Sequence, residues 1–410
     1  MSAIAFNAVF ASLAYLPAPP AAAHTESNEA IPEDVGAVRL GIAAAISALS
    51  ASNSLPSQGL PGYLLVGDPG IDRRGTQLEH AVMQAGYRLT PSLGVQVALG
   101  AHNKDPIHVE AAWLQGRGKL GAFDWEVGAG RQRPSLGPVI TRAGHLERFG
   151  LMPLAKLALT NGDWIENGAR LTLRRSLGGI DWTLDTGLWV ARSFPGARPG
   201  AAAPAVHLGA SWDGAGGEWS IDAFYASLRP SERGSRVLST TGAHTHAAPV
   251  CDAALNQVVC FDGRSRLAGV SARWEGESWP LTVSGAVMWR DETGELQSRN
   301  GLGRYEGRNR GAWLQAVWGF APRWELGVRL EHLMATQSLI GAGANLLATE
   351  AGLSSYAPAR RSAAMLSHAL TPSTTMHIEG GHEQAGGLAA RFVALRLVLH
   401  WDRTFGQRSR

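Results

Sequence analysis

From about Val38 onward the chain falls into segments of roughly 10–14 residues in which apolar and polar side chains alternate, with tryptophans at the turns between them. Three turns share one design: Trp212-DGAGGE-Trp219, Trp274-EGES-Trp279 and Trp318-GFAPR-Trp324. Two more segments open similarly at Asp181-Trp182 and Asp124-Trp125. Tryptophan has a large apolar ring and a single N–H donor, so it settles at a boundary between water and hydrocarbon. Placed beside every second turn, it forms a girdle at one level, as on the rim of a membrane-spanning barrel.

The alternation is clean. Trp324, Leu326, Val328 and Leu330 share one face, with Glu325, Gly327, Arg329 and Glu331 on the other. Val393, Leu395, Leu397, Leu399 and Trp401 oppose Arg396, His400 and Asp402. No sustained helical period appears after the N-terminal stretch, and no run is apolar for the roughly 18 residues that a membrane helix needs. A mean hydropathy of −0.06 does not exclude a membrane, because lipid-facing and lumen-facing residues cancel in a barrel wall. A soluble β-sandwich also alternates, but it would not place Trp at one set of turn ends.

Segments start near 37, 76, 93, 107, 121, 164, 180, 204, 217, 264, 279, 307, 323, 359, 374 and 391, which gives about sixteen, within a range of 14–18. Connections after even-numbered segments are short, such as Leu177-Gly178-Gly179 and Thr371-Pro372-Ser373. Those after odd-numbered segments are mostly longer, notably 51–75, 134–163, 230–263 and 339–358. Short turns on one rim and long loops on the other predict an all-β, antiparallel, up-and-down transmembrane barrel over 37–405. A tail, 406–410, would follow it. The short turns and both termini would face the periplasm. Sixteen strands leave room for a water-filled lumen.

Residues 1–23 read as a secretory signal, with an apolar core from Ala3 to Leu16 and Ala21-Ala22-Ala23 before His24, although no Lys or Arg precedes that core. A short periplasmic segment, 24–36, would follow. The expected location is the outer membrane of a Gram-negative cell. The expected partners are outer-membrane lipid, the barrel-assembly machinery and two further copies in a homotrimer. A net charge of +3 without a Lys/Arg run gives no nucleic-acid footprint.

Period-two phasing sends Arg39, Glu110, Glu126, Arg170, Arg174, Asp185, Arg273, Glu325, Arg329, Glu331, Glu379 and Arg396 inward. Opposed charges on a pore wall sort ions and polar solutes, while the simpler reading for any one of them is hydration of the wall. His377 and Glu379 share that face, near Glu383. The connection 134–163 holds Arg142, His145, Glu147, Arg148, Lys156 and Asp163. It follows the fifth segment, where general porins carry an infolded constriction loop, and an ordinary surface loop is the alternative.

The loop 230–263 carries Thr241-Gly-Ala-His244-Thr-His246 and two cysteines, Cys251 and Cys260. In an exported protein the cysteines are expected to form a disulfide, stabilising by about 2–3 kcal/mol in the chain-entropy model. His244 and His246, helped by Asp252 or Asp262, point the same way in an extended segment and suit Zn²⁺, the one cofactor considered, although none is required. Catalytic signatures such as Gly-x-Ser-x-Gly or His-Glu-x-x-His are absent, so an outer-membrane enzyme is a minor alternative.

Several stretches resemble a family of proteobacterial outer-membrane barrel proteins associated with zinc uptake. They are Leu60-Pro-Gly-Tyr-Leu-Leu, Asp72-Arg-Arg-Gly-Thr-Gln-Leu-Glu-His80, Gly130-Arg-Gln-Arg-Pro-Ser-Leu-Gly-Pro138, Ala143-Gly-His-Leu-Glu-Arg-Phe149, Met152-Pro-Leu-Ala, Gly162-Asp-Trp-Ile165 and Cys260-Phe-Asp-Gly-Arg264. The resemblance implies a barrel whose His/Cys loop meets zinc. Members are sometimes labelled TonB-dependent receptors, whose large N-terminal plug and roughly 22 strands are not expected here. A C-terminal aromatic assembly signal would have to be Phe405, because Gly-Gln-Arg-Ser-Arg follows it. The reading is a porin-like channel for small polar or ionic solutes. A zinc-binding receptor of a TonB-linked uptake system is the alternative.

Overall fold

The computed structural model describes residues 30–60, 62–64, 74–102, 107–144, 146–191, 202–234, 259–353 and 358–406. The expected signal segment lies outside them. Sixteen long antiparallel strands form a closed barrel: β1 Val38–Ala51, β2 Gly75–Arg88, β3 Leu93–Ala101, β4 His108–Leu120, β5 Phe123–Gln132, β6 Glu166–Leu177, β7 Ile180–Trp189, β8 Ala203–Gly214, β9 Gly217–Leu228, β11 Cys260–Gly276, β12 Leu281–Ser298, β13 Gly301–Ala321, β14 Trp324–Ile340, β15 Ala359–Thr371, β16 Thr374–Ala385 and β17 Leu388–Phe405. A two-residue piece, β10 Arg233–Gly234, pairs with Cys260 and Phe261 and extends the ladder that β9 makes with β11. Closure comes from β1, which pairs with β2 on one side and along its whole length with β17 on the other. Every strand thereby finds two neighbours, as hydrocarbon demands of a spanning sheet.

Tight turns on one rim follow from residues that accept φ > 0. Gly178 and Gly179, at 63° and 78°, close β6 onto β7 with the handedness that a two-residue hairpin requires. The other rim carries the long connections 52–74, 133–165, 190–202, 229–259 and 341–358. Two connections on that rim are as tight as those below: Arg299 and Asn300 join β12 to β13, and Gly386 and Gly387 join β16 to β17. These two hairpins are the exceptions among the mostly longer outer connections, where glycine chemistry or extra strand length makes a loop unnecessary.

The outer face is apolar and exposed along the middle of each strand, including Leu184, Leu188, Leu314, Val328, Leu330 and Leu395. At the tight-turn rim the tryptophans form a girdle. Trp212 stacks on Trp219 at 6.3 Å, Trp219 meets Trp274 at 6.3 Å, and Trp318, Phe320 and Trp324 continue the series to His368. At the upper edge of the belt Trp289 lies opposite Arg310, and the Arg266–Asp291–Arg308 row begins a charged outer surface. An apolar belt between aromatic and charged rims, on a closed barrel, is the architecture of an outer-membrane protein. No helix among the described residues is long and apolar enough to cross a membrane.

Among the described residues three short α-helices occur in the connections, where the sequence shows no helical period: α1 Pro138–Arg142, α2 Leu154–Thr160 and α3 Ala344–Glu350. At five to seven residues each, they are too short to leave a periodic signature. At the tight-turn end the N-terminal residues Ala30 and Ile31 are buried against β2 and β3, and Arg88 donates to the Pro32 carbonyl at 2.8 Å. Leu330 is 62% exposed and lies six residues above Trp324, near mid-belt. Leu330→Arg is therefore expected to destabilise the folded barrel by about 2–4 kcal/mol in urea titrations in lipid vesicles. Arg308→Leu, above the belt, should leave stability within about 0.5 kcal/mol.

Candidate functional site

The lumen is shaped by the connection 133–165, which turns inward. Its own sequence explains why. Leu136, Val139, Ile140, Leu159 and Trp164 give it an apolar side that packs on inward-facing Trp189, Phe224, Leu228, Leu267, Met288 and Trp313. Phe149 and Leu151 pack with Val317, Met365 and Phe392 on the opposite stretch of wall. All seven residues of α2 are buried, and the helix stops at Asn161, whose φ of 56° ends it in the left-handed conformation.

A buried, irregular segment leaves backbone groups that must find partners. Here the charged wall supplies them. Glu379 accepts from the Gly150 N–H at 2.7 Å, and Glu331 accepts from the Leu154 N–H at 2.6 Å. Arg329 donates to the Leu151 carbonyl at 2.5 Å, Arg361 to Met152 at 2.8 Å and Arg290 to Leu159 at 3.0 Å. Arg396 reaches the carbonyls of Glu147 and Arg148 at 3.0 and 3.2 Å. The wall charges also pair with one another: Arg361 with Glu383 at 2.6 Å and Glu331 at 3.2 Å, Arg329 with Glu331 at 2.8 Å, and Arg396 with Glu79 in a two-pronged bond at 2.8 Å. Arg148 bonds Glu325 through two contacts of 3.0 Å, and Arg329 lies over the Phe149 ring at 4.6 Å.

These positions correct the hydrated-wall reading of several inward charges. Arg329, Glu331, Glu379 and Arg396 are buried beneath the loop, as are His377 and Glu383. For the arginines, Glu331 and Glu383, charge pairing and backbone bonding offset the desolvation, and Glu379 holds the Gly150 N–H, while His377 Nδ1 and Glu379 Oε1 have no hydrogen-bond partner among the described residues. Lys156 of α2 is similarly buried, donating to Thr141 and Ala143 carbonyls at 3.0 and 2.6 Å and pairing with Asp163 at 2.7 Å. Burial pushes its ammonium below the ordinary lysine value, and the Asp163 carboxylate draws it part of the way back. Arg142 ends α1, Glu147 and Arg148 lie on the stretch against β17, and His145 is outside the described residues.

On the other side of the loop a cavity of about 210 Å³ remains, bounded by β1–β9, β17 and residues 132–146. Its charged lining comprises Glu110, Arg133, Arg170, Arg174, Asp185, His207 and Asp222. Glu126 accepts from Arg170 at 3.0 Å and from Arg174 at 3.4 Å. His207 bridges two carboxylates, Asp185 at 2.8 Å and Asp222 at 2.9 Å, while Thr172 also donates to Asp185. Arg174 is the most open of these cations, with 44% of its side chain exposed. Arg39 pairs with Asp402, and Arg273 pairs with Glu275 near the tight-turn rim.

His244, His246 and Cys251 lie outside the described residues. Asp262 is engaged at the loop base, where it accepts from Ser231 Oγ at 3.0 Å and the Glu232 N–H at 2.7 Å. No free cysteine occurs among the described residues. Arg361, Arg290, Glu292, His207 and Asp222, all inward by strand phase, were not among the expected site residues, and neither were His80, His102 and His108, which lie about Glu110 at the outer end of β2–β4. For the first five, the inward phase of their strands was the available signal.

No family model and no curated protein matches the chain. Solved outer-membrane proteins match its fold. OmpT of Vibrio cholerae in a trimer form aligns with a TM-score of 0.54 at 12% identity, over 90% of this chain and 100% of that one. Pseudomonas putida OprB aligns at 0.55 and 10%, over 89% and 94%, and an anion-selective porin from Comamonas acidovorans at 0.53 and 11%, over 90% and 100%. The chain is thus a sixteen-strand outer-membrane barrel of the shape these proteins share.

Removing one member of a buried ion pair strands the other. Arg361→Ala is expected to cost about 3–5 kcal/mol of unfolding free energy and to open 146–160 to hydrogen exchange while the strands stay protected. Equal protection of that segment in the variant would contradict the clamp.

Proposed function

We propose that the protein is a porin-like channel through which small polar or ionic solutes diffuse across the outer membrane. The single observation that carries this reading is the polar cavity left between the infolded loop and the β1–β9 wall. Its lining holds three arginines and three carboxylates, with His207 between two of the latter. Such a mixed wall gives weak charge selectivity and favours dipolar or small ionic solutes. The loop acts as the constriction, since it fills the opposite half of the lumen.

Planar-bilayer recording of purified protein is expected to show single-channel steps, and silent membranes after verified insertion would refute the reading. Arg174→Glu replaces the most open lining cation with an anion. It should move the reversal potential in a KCl gradient toward cation preference, with little change in the fold.

A homotrimer is the assembly we propose, on the likeness to the trimeric Vibrio barrel. Cys260 is one of only two cysteines and is not a free thiol, which supports a Cys251–Cys260 disulfide. Reduction should then loosen 235–258 to protease without changing conductance. Zinc capture by His244 and His246 belongs to the same outer loop and is a separate proposal; His244→Ala/His246→Ala would lower Zn²⁺ binding if it holds.

A further inference from the structure

At the outer end of β2–β4, on the lumen face, three histidines converge on one carboxylate. His80 Nε2 lies 2.7 Å from Glu110 Oε1, and His108 Nε2 lies 3.6 Å from the same oxygen. The His80 and His102 rings stack at 4.4 Å, and His102 stacks on His108 at 5.5 Å. One ligand atom from each of His80, His102 and Glu110 falls within 4.8 Å of the others. His80, His102 and Glu110 are buried, while a quarter of the His108 side chain is exposed, which leaves one side of the group open to the lumen.

Two β-bulges build this arrangement. Glu79 is the extra residue where β2 slips against β1, between the Ala45–His80 and Ile46–Leu78 pairs. Glu110 is the extra residue where β4 slips against β3, between Ala98–Ala111 and Leu99–Val109. A bulge re-aims side chains that regular pleating would separate. Here it turns Glu79 and His80 to one face, and adds Glu110 to a wall that Ala111 already lines. Gly100, across from them on β3, makes room: a Cβ there would collide with Glu110 Oε1.

We propose that His80, His102 and Glu110 bind one divalent transition-metal ion of the imidazole-preferring kind, with His108 beside them as a fourth donor that swings in on binding and with Zn²⁺ as the probe. Three imidazole nitrogens and one carboxylate oxygen form a donor set suited to tetrahedral zinc at about 2.0–2.2 Å. A tetrahedron of that size has edges of about 3.3 Å, so the 3.6 Å contact closes slightly and the 2.7 Å contact opens by side-chain rotation. The surroundings resemble an outer shell that orients ligands. His102 Nδ1 lies 2.9 Å from the Glu79 carbonyl, which, with the ring as donor, points Nε2 at the group. Arg133 contacts Glu110 Oε2 at 3.4 Å and leaves Oε1 to the histidines, its charge shared with Asp163 at 3.4 Å. The proposal rests on the channel reading only for its setting in the lumen.

Equilibrium dialysis of the folded, detergent-solubilised protein against Zn²⁺ tests the site. About one equivalent per chain is expected to depend on these residues, and Co²⁺ substitution should give the intense visible absorption of a tetrahedral centre. His80→Ala and Glu110→Gln should each weaken binding at least about 10-fold. Gly100→Ala, which displaces the Glu110 carboxylate without replacing any ligand residue, should also weaken it. His244→Ala/His246→Ala should leave this equivalent in place. Heat-shifted electrophoretic mobility verifies that each variant is folded. Folded protein that binds no Zn²⁺, or whose binding survives His80→Ala and Glu110→Gln, would overturn the inference. Conductance recorded in chelator reads the channel separately, so a conducting barrel without zinc affinity sinks only the metal site, and a zinc-binding barrel without conductance sinks only the channel.

Discussion

Everything in this molecule follows from the cost of an unpaired peptide group in hydrocarbon. Each lost N–H or C=O partner there costs several kcal/mol, so the sheet must close, and β1 pairs with β17 over all fourteen of its residues to do it. Closure in turn fixes which faces meet lipid and which meet the lumen. Once the faces are fixed, so is the direction of the loops: tight turns hold their tryptophans at one water boundary, and the long connections gather at the other.

The same demand for partners recurs inside the barrel. A sixteen-strand lumen is too wide for wall side chains to fill, and 133–165 occupies part of it with irregular backbone. The loop's peptide groups would be stranded without Glu331, Glu379, Arg329, Arg361 and Arg396, whose charged atoms take the place that water or a ladder would occupy. Such charges bond more strongly than neutral groups, and they bond one another as well. One network therefore fixes the loop and neutralises itself, which leaves the open cavity to be lined by other charges, on β4, on β6–β9 and at Arg133 of the connection itself.

Strand count, face assignment and turn order were legible because each rests on a local period. The alternation in Trp324–Leu330 or Val393–Trp401 reports the lipid face directly, and sixteen segment starts lie within a few residues of the observed strands, the largest offset falling at Gly301. Legibility ended where the period slips. At Glu79 and His80 a bulge turns two consecutive residues to one side, and at Glu110 another bulge does the same, so phase counting could not bring His80, His102 and His108 together. It also ended at long range: Arg361 reads as an inward charge, but nothing near it in sequence says that it will hold the Met152 carbonyl. The short helices of the inner loop escaped notice because seven residues carry less than two turns of pattern.

The uneven height of the wall connects these observations. β11–β14 run to 17–21 residues, well beyond the roughly 9–11 that span a bilayer, and their surplus rises on the loop side. Outward, the surplus carries Arg264, Arg266, Arg304 and Arg308 with Asp291, Glu295 and Glu306, which no hydrocarbon would accept. Inward, Phe261, Leu296 and Tyr305 join Leu64 and Leu347 in a core that stands above the membrane belt. The extra height therefore encloses a packed shoulder. Among the described residues, the space left open runs along β1–β9, beside the wall where Glu110 and its three histidines stand.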